Sequence, residues 1–110
     1  MEPFGGGLGG RGEVCGAVIG GLAAIGLLFG RDKAGKETDT KVWIYSREFL
    51  KRFEKEIAGG SILCRDIAQT NWADPAQVKE YGKGEKFLKC KTLVGKTAEL
   101  IGELIERAKA

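Results

Sequence analysis

Residues 4–29 read FGGGLGGRGEVCGAVIGGLAAIGLLF, and the fold turns on them. Residues 1–12 form a glycine-rich entry segment. Its backbone can reach angles closed to other residues, so it reads as flexible. After Glu13 no charged residue occurs until Arg31, which predicts a helix over 13–29 that is apolar all round and therefore central and buried. At ~1.5 Å per residue, residues 14–29 span about 24 Å, short of a hydrocarbon core of about 30 Å, so no membrane span is expected. Gly12, Gly16 and Gly20 lie four apart and predict a face on which another helix packs closely. Gly16, Gly20, Gly21 and Gly26 each cost up to about 1 kcal/mol against alanine in a helix, which that packing must offset.

Working outward, residues 30–40 are a polar loop in which Thr38, Asp39 and Thr40 offer helix N-caps. Val42, Tyr45, Phe49, Phe53 and Ile57 recur at three- and four-residue steps and predict an amphipathic helix over 41–58, ended by Gly59-Gly60. Ser61 can cap a short helix holding Ile62, Leu63, Cys64 and Ile67. Asp74-Pro75 reads as a cap followed by proline at the first helical position, giving a helix over 75–81 stopped by Gly82. The last helix is expected from near Cys90 to near Lys109, with Leu93, Thr97, Leu100, Ile101, Leu104, Ile105 and Ala108 as its apolar stripe. No stretch alternates with the period of a strand. The reading is one all-α domain over 1–110, a small helical bundle with a buried glycine-rich central helix.

The chain has 110 residues, 43% apolar and 30% charged, with a net charge of +3. That is the composition of a globular domain, and the charge is small for a nucleic-acid binder. Eleven of the eighteen glycines fall in residues 1–30. The absence of histidine excludes Ser-His-Asp and Cys-His nucleophiles, haem attached through Cys-x-x-Cys-His and histidine-ligated zinc. No secretory signal is visible at the start, so a cytoplasmic protein with reduced thiols is expected.

Cys15, Cys64 and Cys90 are each expected near a helix start, where unpaired N–H groups and the helix dipole favour a thiolate; Lys86, Lys89 and Lys91 would add to this at Cys90. A thiolate is both a redox nucleophile and a soft metal ligand. Set against that, free cysteines often act as small buried hydrophobes, and no Cys-x-x-Cys is present to support a zinc ribbon or a thioredoxin motif.

The run from Phe4 to Gly20, with Gly12, Cys15, Gly16, Ala17 and Gly20, resembles the hallmark of the C_GCAxxG_C_C family of redox-active proteins. Downstream, Phe49 and Arg52-Phe53, Gly60-Ser61-Ile62-Leu63-Cys64-Arg65, and Lys89-Cys90 before a final helix follow in the family's order. The resemblance implies a small helical protein of bacteria and archaea, often anaerobic, whose cysteines are redox-active. It also implies kinship with a domain of split-Soret cytochromes associated with an iron–sulfur centre, without the haem part. The family has four characteristic cysteines, the first on a helix upstream of the glycine-rich segment; Cys15, Cys64 and Cys90 match the second, third and fourth. On this basis Cys15, Cys64 and Cys90 are the redox candidates and the ligands of an iron–sulfur cluster or other metal, if one is bound. Without cover from an upstream helix, the apolar surface of 14–29 and 41–57 is expected to drive self-association as a homodimer.

Two motifs are decoys. Gly5-x-Gly7-x-x-Gly10 lacks the preceding strand of a dinucleotide fold, and Gly95-Lys96-Thr97 lacks the strand and glycine of a P-loop. Trp43 and Trp72 read as partly buried packing residues. The lysines between Lys79 and Lys96 read as a solvated face. In the alternative reading the chain is an accessory protein, with inert cysteines and a partner docked on that face.

Overall fold

The computed structural model describes residues 2–31, 33–35, 37 and 39–109. Its helices are α1 (Gly16–Phe29), α2 (Thr40–Arg52), α3 (Cys64–Ile67), α4 (Pro75–Lys83) and α5 (Glu85–Lys109); a π-helical turn, Phe53–Ile57, continues α2. Among the described residues there is no strand, only an isolated antiparallel bridge between Val14 and Leu63, so the protein is all-α. No helix is long and apolar enough to cross a membrane among these residues.

The periodic stripes read from the sequence form the core. Phe49 and Phe53 are fully buried, and α5 buries Leu93, Thr97, Leu100, Ile101, Leu104 and Ala108. Val18 and Ile25 of α1 complete the cluster, with Val42, Tyr45, Ile57 and Ile105 packed partly buried against it. The Thr97 hydroxyl donates to the Leu93 carbonyl at 2.7 Å, so its burial leaves no unpaired donor. Salt bridges stitch α2 to α5: Arg52 reaches Glu103 at 2.9 Å and Arg107 reaches Glu48 at 2.7 Å.

Helix α1 is buried along a stripe rather than all round. It packs on α2 and α5, which leaves Leu27 88% and Leu28 46% exposed. The close approach falls at Gly21 rather than on the Gly12/Gly16/Gly20 stripe. A β-carbon at Gly21 would stand 2.6 Å from Phe49 Cε2, whereas one at Gly20 would meet nothing within 4 Å. Gly12 precedes the helix altogether.

Of the three caps offered before α2 the structure uses one, and four boundaries differ from the sequence reading: α1 begins at Gly16 rather than 13, α3 begins at Cys64 and leaves Ile62 and Leu63 ahead of it, and the end of α4 and the start of α5 both move. Asp39 caps α2, its carboxylate accepting from Lys41 N at 2.9 Å; Thr38 lies outside the described residues. Helix α4 runs through Gly82 to Lys83 and ends at the extended Gly84, because a glycine weakens a helix without terminating it. Helix α5 therefore starts at Glu85, and Cys90 lies over a turn inside it instead of at its start. Trp43 is 60% exposed, not partly buried.

Candidate thiol site

The glycine-rich segment is an ordered loop. Gly6, Gly7, Leu8, Gly9, Gly10 and Gly12 all have φ between 61° and 74°, so residues 6–10 wind in the left-handed sense. Each L-residue in that conformation costs roughly 1–2 kcal/mol, which explains why only Leu8 interrupts the glycines. The loop bonds to itself: Gly10 N to Gly5 O at 3.1 Å, Gly12 N to Gly6 O at 2.9 Å and Glu13 N to Gly7 O at 2.9 Å. The segment was expected to be flexible because glycine permits many conformations; here these bonds and the packing beneath select one. Gly7 is buried, and a β-carbon there would stand 2.6 Å from Cys64 Cβ; at Gly12 it would stand 3.0 Å from Arg65 Cβ. The absent side chains let the loop lie directly on Cys64 and Arg65.

After the loop, the backbone of 12–15 pairs with 62–65. Cys15 N donates to Ile62 O at 2.8 Å, Cys64 N to Glu13 O at 2.6 Å and Arg65 N to Gly12 O at 3.1 Å, around the Val14–Leu63 bridge. In an antiparallel register, 15 pairs with 62 and 13 with 64, so the side chains of Cys15 and Cys64 fall on one face as diagonal neighbours. Such pairs lie about 7–8 Å apart, so joining them as a disulfide requires the two backbone segments to move closer together. The 62–65 segment is delivered by the π-helical turn and by Gly59 and Gly60, both at positive φ. Ser61, expected to cap the short helix, instead braces the turn before it, accepting from Leu63 N at 3.1 Å and donating to Asp66 at 2.6 Å; the N-cap of α3 is Leu63.

Cys15 is the N-cap of α1 and Cys64 the first residue of α3. Cys90 comes from α5 and is close enough to act electrostatically on both. All three are free thiols; Cys64 is buried, the others half-buried. The expected help from a helix start is present at Cys15, where Ala17 N–H and Val18 N–H favour the thiolate. Burial outweighs it and pushes the thiol up, with the Cys90 charge adding to the rise. Burial also raises Cys64 against the approach of the Trp72 indole, and Cys15 and Cys90 raise it further. Lysines have no part in either shift; Lys86 Nζ is engaged with the Gln69 carbonyl at 2.8 Å.

Two aromatic residues surround the thiols, and the sequence reading had assigned them no role there. Trp72 Nε1 is buried without a hydrogen-bond partner; it faces Cys64 without closing a bond of normal geometry. Tyr81, on α4, meets Trp72 edge-on at 4.8 Å between ring centroids and lies near enough to Cys90 to interact with it electrostatically. Burial, first, and then Cys90 push its hydroxyl well above the usual phenol range. Neither residue stands at a spacing from a cysteine that could have revealed it.

The implied iron–sulfur or other metal centre does not fit the residues described: no group of three or more Cys, His, Asp or Glu side chains among them is arranged to hold a metal ion.

The family profile described as "Putative redox-active protein (C_GCAxxG_C_C)" matches residues 1–104. Neither a curated protein nor a solved structure matches the chain.

Proposed function

Because the chain belongs to the C_GCAxxG_C_C redox-active family, we propose that it performs thiol–disulfide exchange, with Cys15 and Cys64 as the exchanging pair and Cys90 as the third thiol beside them. The observation that carries this reading is the Val14–Leu63 bridge, which sets Cys15 and Cys64 on one face. Cys15 is the more accessible of the two and has the helix N–H groups, so it attacks. Its thiolate displaces one thiolate from an external disulfide and forms a mixed disulfide. The Cys64 thiolate then attacks the Cys15 sulfur and releases the second. Two protein thiols become one disulfide, one external disulfide becomes two thiols, and the two protons lost by the cysteines end on the released thiols.

Three free thiols suit a reducing, cytoplasmic setting. The exposed Leu27, Leu28, Trp43 and Ile44 supply an apolar surface for a homodimer. Burial of the thiols favours a second reading, an accessory protein with inert cysteines that uses its lysine-rich face for docking. Exposure of the Cys64→Ser variant to a chromogenic aromatic disulfide separates the two. Exchange predicts a stable mixed disulfide on Cys15 that the wild-type chain resolves and does not accumulate. Unreactive thiols in the folded protein favour the second reading.

A further inference from the structure

A cavity of about 350 Å³ opens between the glycine loop at Gly10–Gly12 and Arg65, Gln69, Thr70 and Trp72, with Arg11 at its rim; Arg65 directly follows Cys64 in the chain. We propose that it binds the carboxylates of a low-molecular-weight, anionic thiol or disulfide, the external partner in the exchange proposed above; the assignment rests on that reading for the substrate's sulfur but not for its charge. The volume is within the range that takes a small organic ligand, about 300–1,000 Å³.

The lining carries two guanidinium groups and no carboxylate. Arg65 Nε donates to the Gly12 carbonyl at 3.1 Å, which fixes the guanidinium over the loop and leaves its terminal nitrogens for a ligand. Arg11 has one carboxylate near it, Glu13 at 3.5 Å, a loose and exposed pair that a bidentate ligand carboxylate can outcompete. Gln69 in the wall has φ 49°, a left-handed conformation for a residue with a side chain. Such strain concentrates at ligand sites. Its carbonyl is tied to Lys86, which holds the wall in place. Trp72 closes the cavity with the same indole whose buried Nε1 faces Cys64. An anion held by Arg11 and Arg65 is therefore one side chain away from the thiols.

The test compares three disulfides of different charge: glutathione disulfide, neutral hydroxyethyl disulfide and cationic cystamine. Arg11→Gln with Arg65→Gln is expected to slow oxidation of the protein thiols by glutathione disulfide about tenfold, which corresponds to about 1.4 kcal/mol. The rate with the neutral disulfide should stay within about twofold, which also shows that the variant is folded, and the cationic disulfide should react at least as fast as with the wild type. Equal slowing with all three, or no slowing with any, overturns the proposal. A second arm uses no redox step. In a Trp43→Phe background, Trp72 fluorescence should shift saturably with S-methylglutathione, and the double arginine variant should weaken that binding about tenfold. Inorganic phosphate at equal ionic strength that displaces the peptide as readily as unlabelled glutathione does would overturn the ligand class. Arginine-dependent binding without exchange would sink the redox reading and leave the cavity assigned. Exchange without arginine dependence or binding would do the reverse.

Discussion

Replacing Gly21 by alanine should destabilise the fold, while the same change at its neighbour Gly20 should stabilise it. Both are glycines inside α1, so both replacements gain up to about 1 kcal/mol of helix propensity. At Gly20 the new methyl meets nothing within 4 Å, and the gain survives. At Gly21 it would stand 2.6 Å from Phe49 Cε2 and 3.1 Å from Cε1. Phe49 is fully buried with its ring 6.0 Å from that of Phe53, so it has nowhere to swing. Overpacking of this kind costs about 1–3 kcal/mol, and the upper end applies because α1 must move off α2. The net is a loss of about 1–2 kcal/mol for Gly21→Ala against a gain of about 0.5–1 kcal/mol for Gly20→Ala. For a domain near 100 residues, that difference separates the two melting temperatures by roughly 10–20 °C. Thermal denaturation followed by circular dichroism in dilute solution reads it directly. Equal melting temperatures, or a more stable Gly21→Ala, would refute the α1–α2 packing.

Gly7→Ala should both destabilise the protein, by about 1–2 kcal/mol from the left-handed backbone alone, and lift the loop off Cys64; faster alkylation of Cys64, mapped by mass spectrometry, checks it. Because burial raises Cys15 and Cys64, the folded state holds their protons more tightly than the unfolded chain. Stability should therefore be full below about pH 8.5, the ordinary thiol value, and fall as pH climbs through the raised values. The fall should shrink in the Cys15→Ser and Cys64→Ser variants, and an unchanged pH profile would count against thiol burial. Self-association should appear in sedimentation velocity and weaken in Leu27→Glu with Ile44→Glu; a wild-type monomer at high concentration would remove the homodimer.

The sequence carried the helical class because its signals there are local. The steps of Phe49 and Phe53 and of Leu93 to Ala108 mark buried faces whichever elements cover them. Gly82 misled because a glycine's cost in a helix is small enough for neighbours to override, and α5 consequently begins before Cys90. The site was legible as three cysteines, but not as a geometry. Cys15 and Cys64, with 48 residues between them, are brought together by a backbone pairing too short to show alternation. Composition marked residues 1–12 as permissive, yet a left-handed loop is decided by what lies under it: Cys64, Arg65 and Trp72. The thiolate expected from helix position was opposed by burial, a tertiary quantity. Tyr81 and Trp72 stood outside every motif for the same reason.

The most direct measurement is peptide mapping by mass spectrometry after equilibration of the wild-type protein in a graded series of dithiol/disulfide redox buffers. The account predicts one reversible transition in which the Cys15 and Cys64 peptides become joined, the pair being two hydrogens lighter, while Cys90 remains alkylatable. All three cysteines remaining free across the series, or each ending only as a mixed disulfide with the buffer, would contradict it.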